Sequence, residues 1–158
     1  MKSPVGFAAL VAPILMTAAW LGVANASGPI GVYALVDKVI LEPSADKPER
    51  IRISGVFITS KETPDNSTVY GEPQRGNLYF RLPKGSNEDL ARREWADLKS
   101  IAGTRQVVGL GTSWGPKVHV TTSNSEAASP AEFPIGNGVV KINSDQPRAK
   151  ELLDYKDR

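Results

Sequence analysis

A mainly β fold carrying one internal helix is what this sequence predicts, and three observations predict it. Short segments rich in Val, Ile, Leu and aromatic residues recur between clusters of Gly, Pro, Asn and Asp, the pattern of strands and turns. One internal stretch, residues 87–102, repeats its apolar residues at helical period. The 158 residues are 41% hydrophobic and 23% charged, which suits one folded domain with its own core.

The elements follow in order. Residues 1–26 read as a signal peptide: Lys2 near the start, an apolar run from Val5 to Val23, then Ala24-Asn25-Ala26, with Ala24 and Ala26 at the small positions of the cleavage rule. The alternative is an uncleaved membrane anchor, because the run approaches bilayer-spanning length. Either way the domain is expected outside the cytoplasm, periplasmic or extracellular.

Residues 32–42, VYALVDKVILE, form the first strand. Val32, Ala34 and Val36 share one side, and Tyr33, Leu35, Val39 and Leu41 fall mainly on the other. Both faces are therefore expected to be buried, as in a barrel that curls over itself. After a polar turn at 43–49, residues 50–59 alternate, with Ile51, Ile53 and Phe57 on one face and Arg50, Arg52 and Ser54 on the other. Val56 and Ile58 reverse that polarity beside Gly55, which predicts a β-bulge at the glycine. Residues 60–76 read as a long loop with a scrap of strand at Val69 and Tyr70. Residues 77–82 make the third strand, with Leu78, Phe80 and Leu82 inward and Asn77, Tyr79 and Arg81 outward.

The helix over 87–102 takes Ser86 as its cap and Asp89 as the reciprocal acceptor. Leu90, Trp95, Leu98 and Ile101 form its apolar stripe, and Gly103 ends it in a left-handed turn. Residues 106–112 are a fourth strand, 113–116 a turn and 117–121 a short fifth strand. Residues 122–132 read as a polar, mobile loop, Phe133-Pro134-Ile135 as an anchor, and 139–142 as a last strand after the Gly136-Asn137-Gly138 turn. Pro147 suits the first turn of a short terminal helix bearing Ala149, Leu152 and Leu153.

The order is β-β-β-α-β-β plus an additional C-terminal strand and tail. That is the element order of a small OB-like β-barrel. The domain division is thus a leader over 1–26, an OB-like domain over 27–143, and a polar tail or short helix over 144–158.

Composition excludes several chemistries. The chain has no cysteine, which removes thiol catalysis, Cys-ligated zinc, iron–sulfur clusters and disulfides. A net charge of +2 is too balanced for the phosphate neutralisation on which nucleic-acid binding rests. The lone His119 sits between Val118 and Val120 and is expected to face solvent. The glycine-bearing run from Gly109 to Lys117 has the wrong spacing for a phosphate loop, and no helix follows it. Glu88, Asp89, Glu94 and Asp97 read as a solvated helix face, with Glu88–Arg92 and Asp89–Arg93 at the spacing of stabilising ion pairs. Asn66-Ser67-Thr68 matches a glycosylation sequon. No cofactor is implied.

The functional expectation rests on a surface. Ligands of OB-like barrels meet strands two and three and the loops joining strands one–two and four–five. Here those positions hold Arg52, Ser54, Tyr79, Arg81 and, in the four–five loop, Trp114. Guanidinium forks and aromatic faces suit an oligosaccharide or other anionic oligomer. The expected role is a non-enzymatic binding module of the cell envelope or exterior, its partner a glycan, an anionic oligomer or an envelope protein. An accessory subunit of an envelope assembly is the alternative, and a hydrolase working through carboxylates ranks third. Membrane contact is expected only if the leader is retained.

Overall fold

The computed structural model describes residues 30–43, 49–62, 65, 67–111, 118–122, 131–133 and 138–158. Within them the chain is mainly β. The strands are β1 Val32–Glu42, β2 Arg50–Glu62, β3 Thr68–Tyr70, β4 Gln74–Arg81, β5 Val107–Leu110, β6 Ala131–Glu132 and β7 Val139–Lys141. The helices are α1 Glu88–Ile101, between β4 and β5, and α2 Pro147–Lys156 at the end. The strand path is β6-β4-β2-β1-β5-β7, with β3 attached to β2. All pairings are antiparallel except the two-residue β4–β6 contact. No pairing among the described residues joins β6 to β7, so the sheet is open.

β1 has the predicted bounds, but the bulge lies here and not at Gly55. Val36 pairs with Gly55 and Lys38 with Ser54, leaving Asp37 as the extra residue. One unpaired residue shifts the face parity of everything after it. Val39 and Leu41 therefore join Val32, Ala34 and Val36 on the main core, and Leu35 packs into a second cluster with Tyr33 against it. β2 keeps strict alternation throughout. Its change of polarity at Val56 has another cause: α2 covers only that half of the face. Val56 and Ile58 lie under Ala149 and Leu152, while Arg52 and Ser54 on the same side stay outside the covered area.

Gly55 is needed for space. A Cβ there would stand 2.3 Å from the carbonyl oxygen of Leu35, and one on its cross-strand neighbour Gly76 would stand 2.5 Å from that of Thr121. The two glycines let β1 and the 118–121 segment approach the sheet at one level. That segment is not the predicted fifth strand. Among its described residues, only an isolated bridge between Thr121 and Asn77 forms. Strand pairing instead appears at Ala131–Glu132, within the stretch read as loop, and Phe133 follows it into the core, edge-on to Phe80 at 5.6 Å. The expected 60–76 loop is also largely strand, because β2 runs to Glu62 and β4 starts at Gln74.

α1 lies on the main core. Ala91 and Leu98 are buried there with Trp95 and Ile101 partly so, whereas Leu90 is 43% exposed. Trp95, Leu98 and Ile101 thus form the stripe as expected, and Ala91 takes the place of Leu90 in its first turn. Asn87, not Ser86, is the N-cap residue, and no side chain caps the helix. Gly103 does end it, at φ +79, and its N–H bonds the Val36 carbonyl at 2.8 Å beside the bulge. α2 carries Pro147 in its first turn and buries Ala149 and Leu152 fully. Among the described residues, no helix is long and apolar enough to cross a membrane.

Candidate functional site

The half of the outer face that α2 leaves uncovered is built from three rows of cross-strand partners. Glu42, Arg50 and Arg81 form the first, Ile40, Arg52 and Tyr79 the second, and Lys38, Ser54 and Asn77 the third. Register places all nine on one side, because directly opposed residues share a face. Arg52, Ser54, Tyr79 and Arg81 are therefore brought together, as the alternation of strands two and three implies. Trp114, Ala24, Ala26 and Asn66 lie outside the described residues.

Several polar groups in this patch have partners from the same chain. Arg50 donates to Glu42 Oε2 through Nε, at 2.9 Å, and through Nη2. Arg52 Nε lies 2.9 Å from the other oxygen of that carboxylate. One carboxylate thus sits in a fork of two guanidiniums, the planar arrangement at which arginine excels. The Arg50 guanidinium also stacks 4.5 Å above the Tyr79 ring, leaving Tyr79 only 5% exposed. The Ser54 hydroxyl donates to Asn77 Oδ1 at 2.6 Å. Arg81 meets Glu132 at 3.1 Å, and both side chains are about half exposed there. An exposed pair of that kind contributes at most about 1 kcal/mol, so Arg81 can exchange Glu132 for another anion at little cost. The Glu42 fork is more sheltered and holds the patch in shape. Arg50, Arg52, Arg81 and exposed Lys38 outnumber Glu42 and Glu132, so the patch is net positive.

Sequence reading did not single out Arg50, Glu42 or Asn77 as binding residues, although alternation set Arg50 beside Arg52 and Ser54, and Asn77 beside Tyr79 and Arg81. The signal for Glu42 lies in register, since it sits opposite Arg50 and its carboxylate reaches Arg52 as well. It also misread Glu94. That side chain was expected on a solvated helix face, but it is only 8% exposed, and its Oε2 has no hydrogen-bond partner among the described residues. Burial, then the negative charge of Asp97, pushes its carboxyl up to about 7. The predicted Glu88–Arg92 pair does form, at 2.9 Å, and Arg92 also reaches Glu49 at 2.8 Å. His119 is exposed. Among the described residues, no three His, Cys, Asp or Glu side chains gather as metal ligands would.

Comparison with protein-family models, with curated proteins and with solved structures gives no match for this chain.

Proposed function

We propose that this chain is an exported, non-enzymatic binding module of the cell envelope or exterior, which takes an anionic oligosaccharide across the uncovered half of its β2–β4 face. The observation that carries the reading is the gathering of Arg50, Arg52, Arg81 and Tyr79 on the part of the outer face that α2 leaves bare. The Glu42 fork supports it further, because the patch already holds one carboxylate between two guanidiniums. The strand path β6-β4-β2-β1-β5, with α1 between β4 and β5, supports an OB-like reading of the sheet, in which this face is the customary ligand surface. The apolar leader and its Ala24-x-Ala26 site support export.

Calorimetric titration of the mature domain with polygalacturonate, and with a neutral glucan as control, tests the proposal. Binding is expected for the polyanion alone, weakening as salt screens the arginines. The Arg52→Ala plus Arg81→Ala variant is expected to lose at least tenfold in affinity. Arg50 still holds Glu42 in that variant, so the fold is expected to survive. Undiminished binding in the double variant removes this face from consideration. No binding at all, together with elution of the native protein in a large assembly, points to an accessory subunit instead.

A further inference from the structure

Glu94 is placed as no solvated helix residue would be. It projects from α1 at the junction with β7, where its Oε1 lies 3.4 Å from the Cβ position of Gly138, the residue that leads into that strand. α1 and β7 are in contact there. Gly138 has φ +63 and no side chain, so the chain enters β7 directly against the carboxyl. β7 is three residues long and, among the described residues, pairs with β5 alone, at one end of the strand path. Ile142, just past β7, is tied to Val107 and Gln106, whereas the start of β7 at Gly138 has no such tie among the described residues, so a change of charge there acts on the strand's less secured end.

An ionised carboxylate in this setting is costly. It is nine-tenths buried, and one oxygen has no donor among the described residues. Among the described residues, the surrounding charges do not relieve it. Asp97, one turn further along α1, is of like sign and adds repulsion. Gly138 faces it with backbone only. Lys141, the one charged residue of β7, is exposed. On β1, Asp37 is held by Arg75 and Lys156, and Lys38 and Glu42 lie on the opposite side of the sheet from the main core. His119, in the neighbouring 118–121 segment, points to solvent.

We infer that Glu94 is a proton-operated latch: its neutral carboxyl seats Gly138 and β7 against α1, and loss of the proton releases β7 from the sheet edge. A neutral carboxyl needs far less hydration than a carboxylate, so the closed arrangement tolerates it. The anion recovers its hydration only if the cover over it lifts, and the Gly138 entry to β7 is the cover that lies directly against its Oε1.

The sign follows from proton uptake. The carboxyl titrates at about 7 in the fold against an ordinary 4.5, so between those values the fold binds more protons than the unfolded chain. The stability contributed by the neutral form is complete at and below about 4.5 and is lost as pH rises through about 7. The latch is therefore shut in mild acid and open in mild alkali.

The test uses the full mature protein and two readouts. Carbon-detected NMR follows the Glu94 carboxyl, and hydrogen exchange, corrected for intrinsic rates, follows the amides of Val139, Val140 and Lys141. A midpoint near 7 is expected, with β7 protection falling by up to about tenfold per pH unit between about 4.5 and 7 and levelling off above that. In Glu94→Gln, which mimics the protonated form, protection is expected to stay level across that same window, between about 4.5 and 7. Three results overturn the inference: a carboxyl midpoint near 4.5, β7 protection in the wild type that stays level between about 4.5 and 7, or the same pH-dependent loss in Glu94→Gln. The first two need only the wild-type chain, so a variant that fails to fold does not rescue the idea.

Discussion

Replacing Gly55 by alanine tests the account of how β1 and β2 meet. The added Cβ would stand 2.3 Å from the Leu35 carbonyl oxygen, where ordinary contact begins near 3.4 Å. The strands must part by roughly 1 Å, and ladder hydrogen bonds of about 2.9 Å do not survive that stretch. Losing two such bonds costs about 1–3 kcal/mol in all, and the forced repacking a further 1–3 kcal/mol. A total near 4 kcal/mol is expected, or roughly 15 °C in Tm for a domain of this size. Gly85→Ala supplies the contrast. Gly85 has φ +86 and nothing within 4 Å of its Cβ position, so alanine there meets only the left-handed backbone cost of about 1–2 kcal/mol. Gly55 is not among the positive-φ glycines, so backbone strain plays no part in its case. Urea and thermal unfolding followed by circular dichroism measure both variants. If Gly55→Ala proves no less stable than Gly85→Ala, the close approach of the two strands is wrong.

Other perturbations probe the remaining contacts. Leu152→Ala, at a fully buried site of α2, is expected to cost about 2–4 kcal/mol in urea unfolding; a cost below 0.5 kcal/mol, by the same scale, would mean that α2 is not docked. Phe133→Ala is expected to cost about 3–5 kcal/mol through the cavity left beside Phe80, and an unchanged midpoint would contradict that packing. Tyr70→Phe removes the bond from its hydroxyl to the Ile30 carbonyl at 2.8 Å, at a cost near 1 kcal/mol, and should speed exchange at Gly31. Arg105→Ala should return Asp157, whose carboxyl its guanidinium holds below the ordinary range, to a normal titration by NMR. Since a lowered carboxyl favours the fold only while ionised, that pair's contribution fades as pH falls through the folded value, the reverse of the Glu94 behaviour.

What could be read from the chain alone was local. The bounds of β1 followed from its run of branched residues, the end of α1 from Gly103, and the C-terminal helix from Pro147 and its spaced apolar residues. Alternation also placed Arg52, Ser54, Tyr79 and Arg81 on one side of strands two and three, because a strand's faces have period two whatever lies around it. What covers a face has no such local signature. That Val56 and Ile58 are buried while Arg52 is not depends on α2, roughly a hundred residues away in sequence, spanning only half of the sheet. The bulge at Asp37 is set by its pairing with β2 and by Gly103 bonding to Val36, and it alone turned Val39 and Leu41 inward. Glu94 looked solvated because its helical neighbours are charged, and β7 arriving over it from more than forty residues on made it buried. Local sequence sets backbone conformation and face parity through sterics and side-chain spacing. Burial, and with it the ionisation of Glu94 and the pairing of Glu42, is set by which distant segment lands on that face, and only the closed tertiary structure decides that.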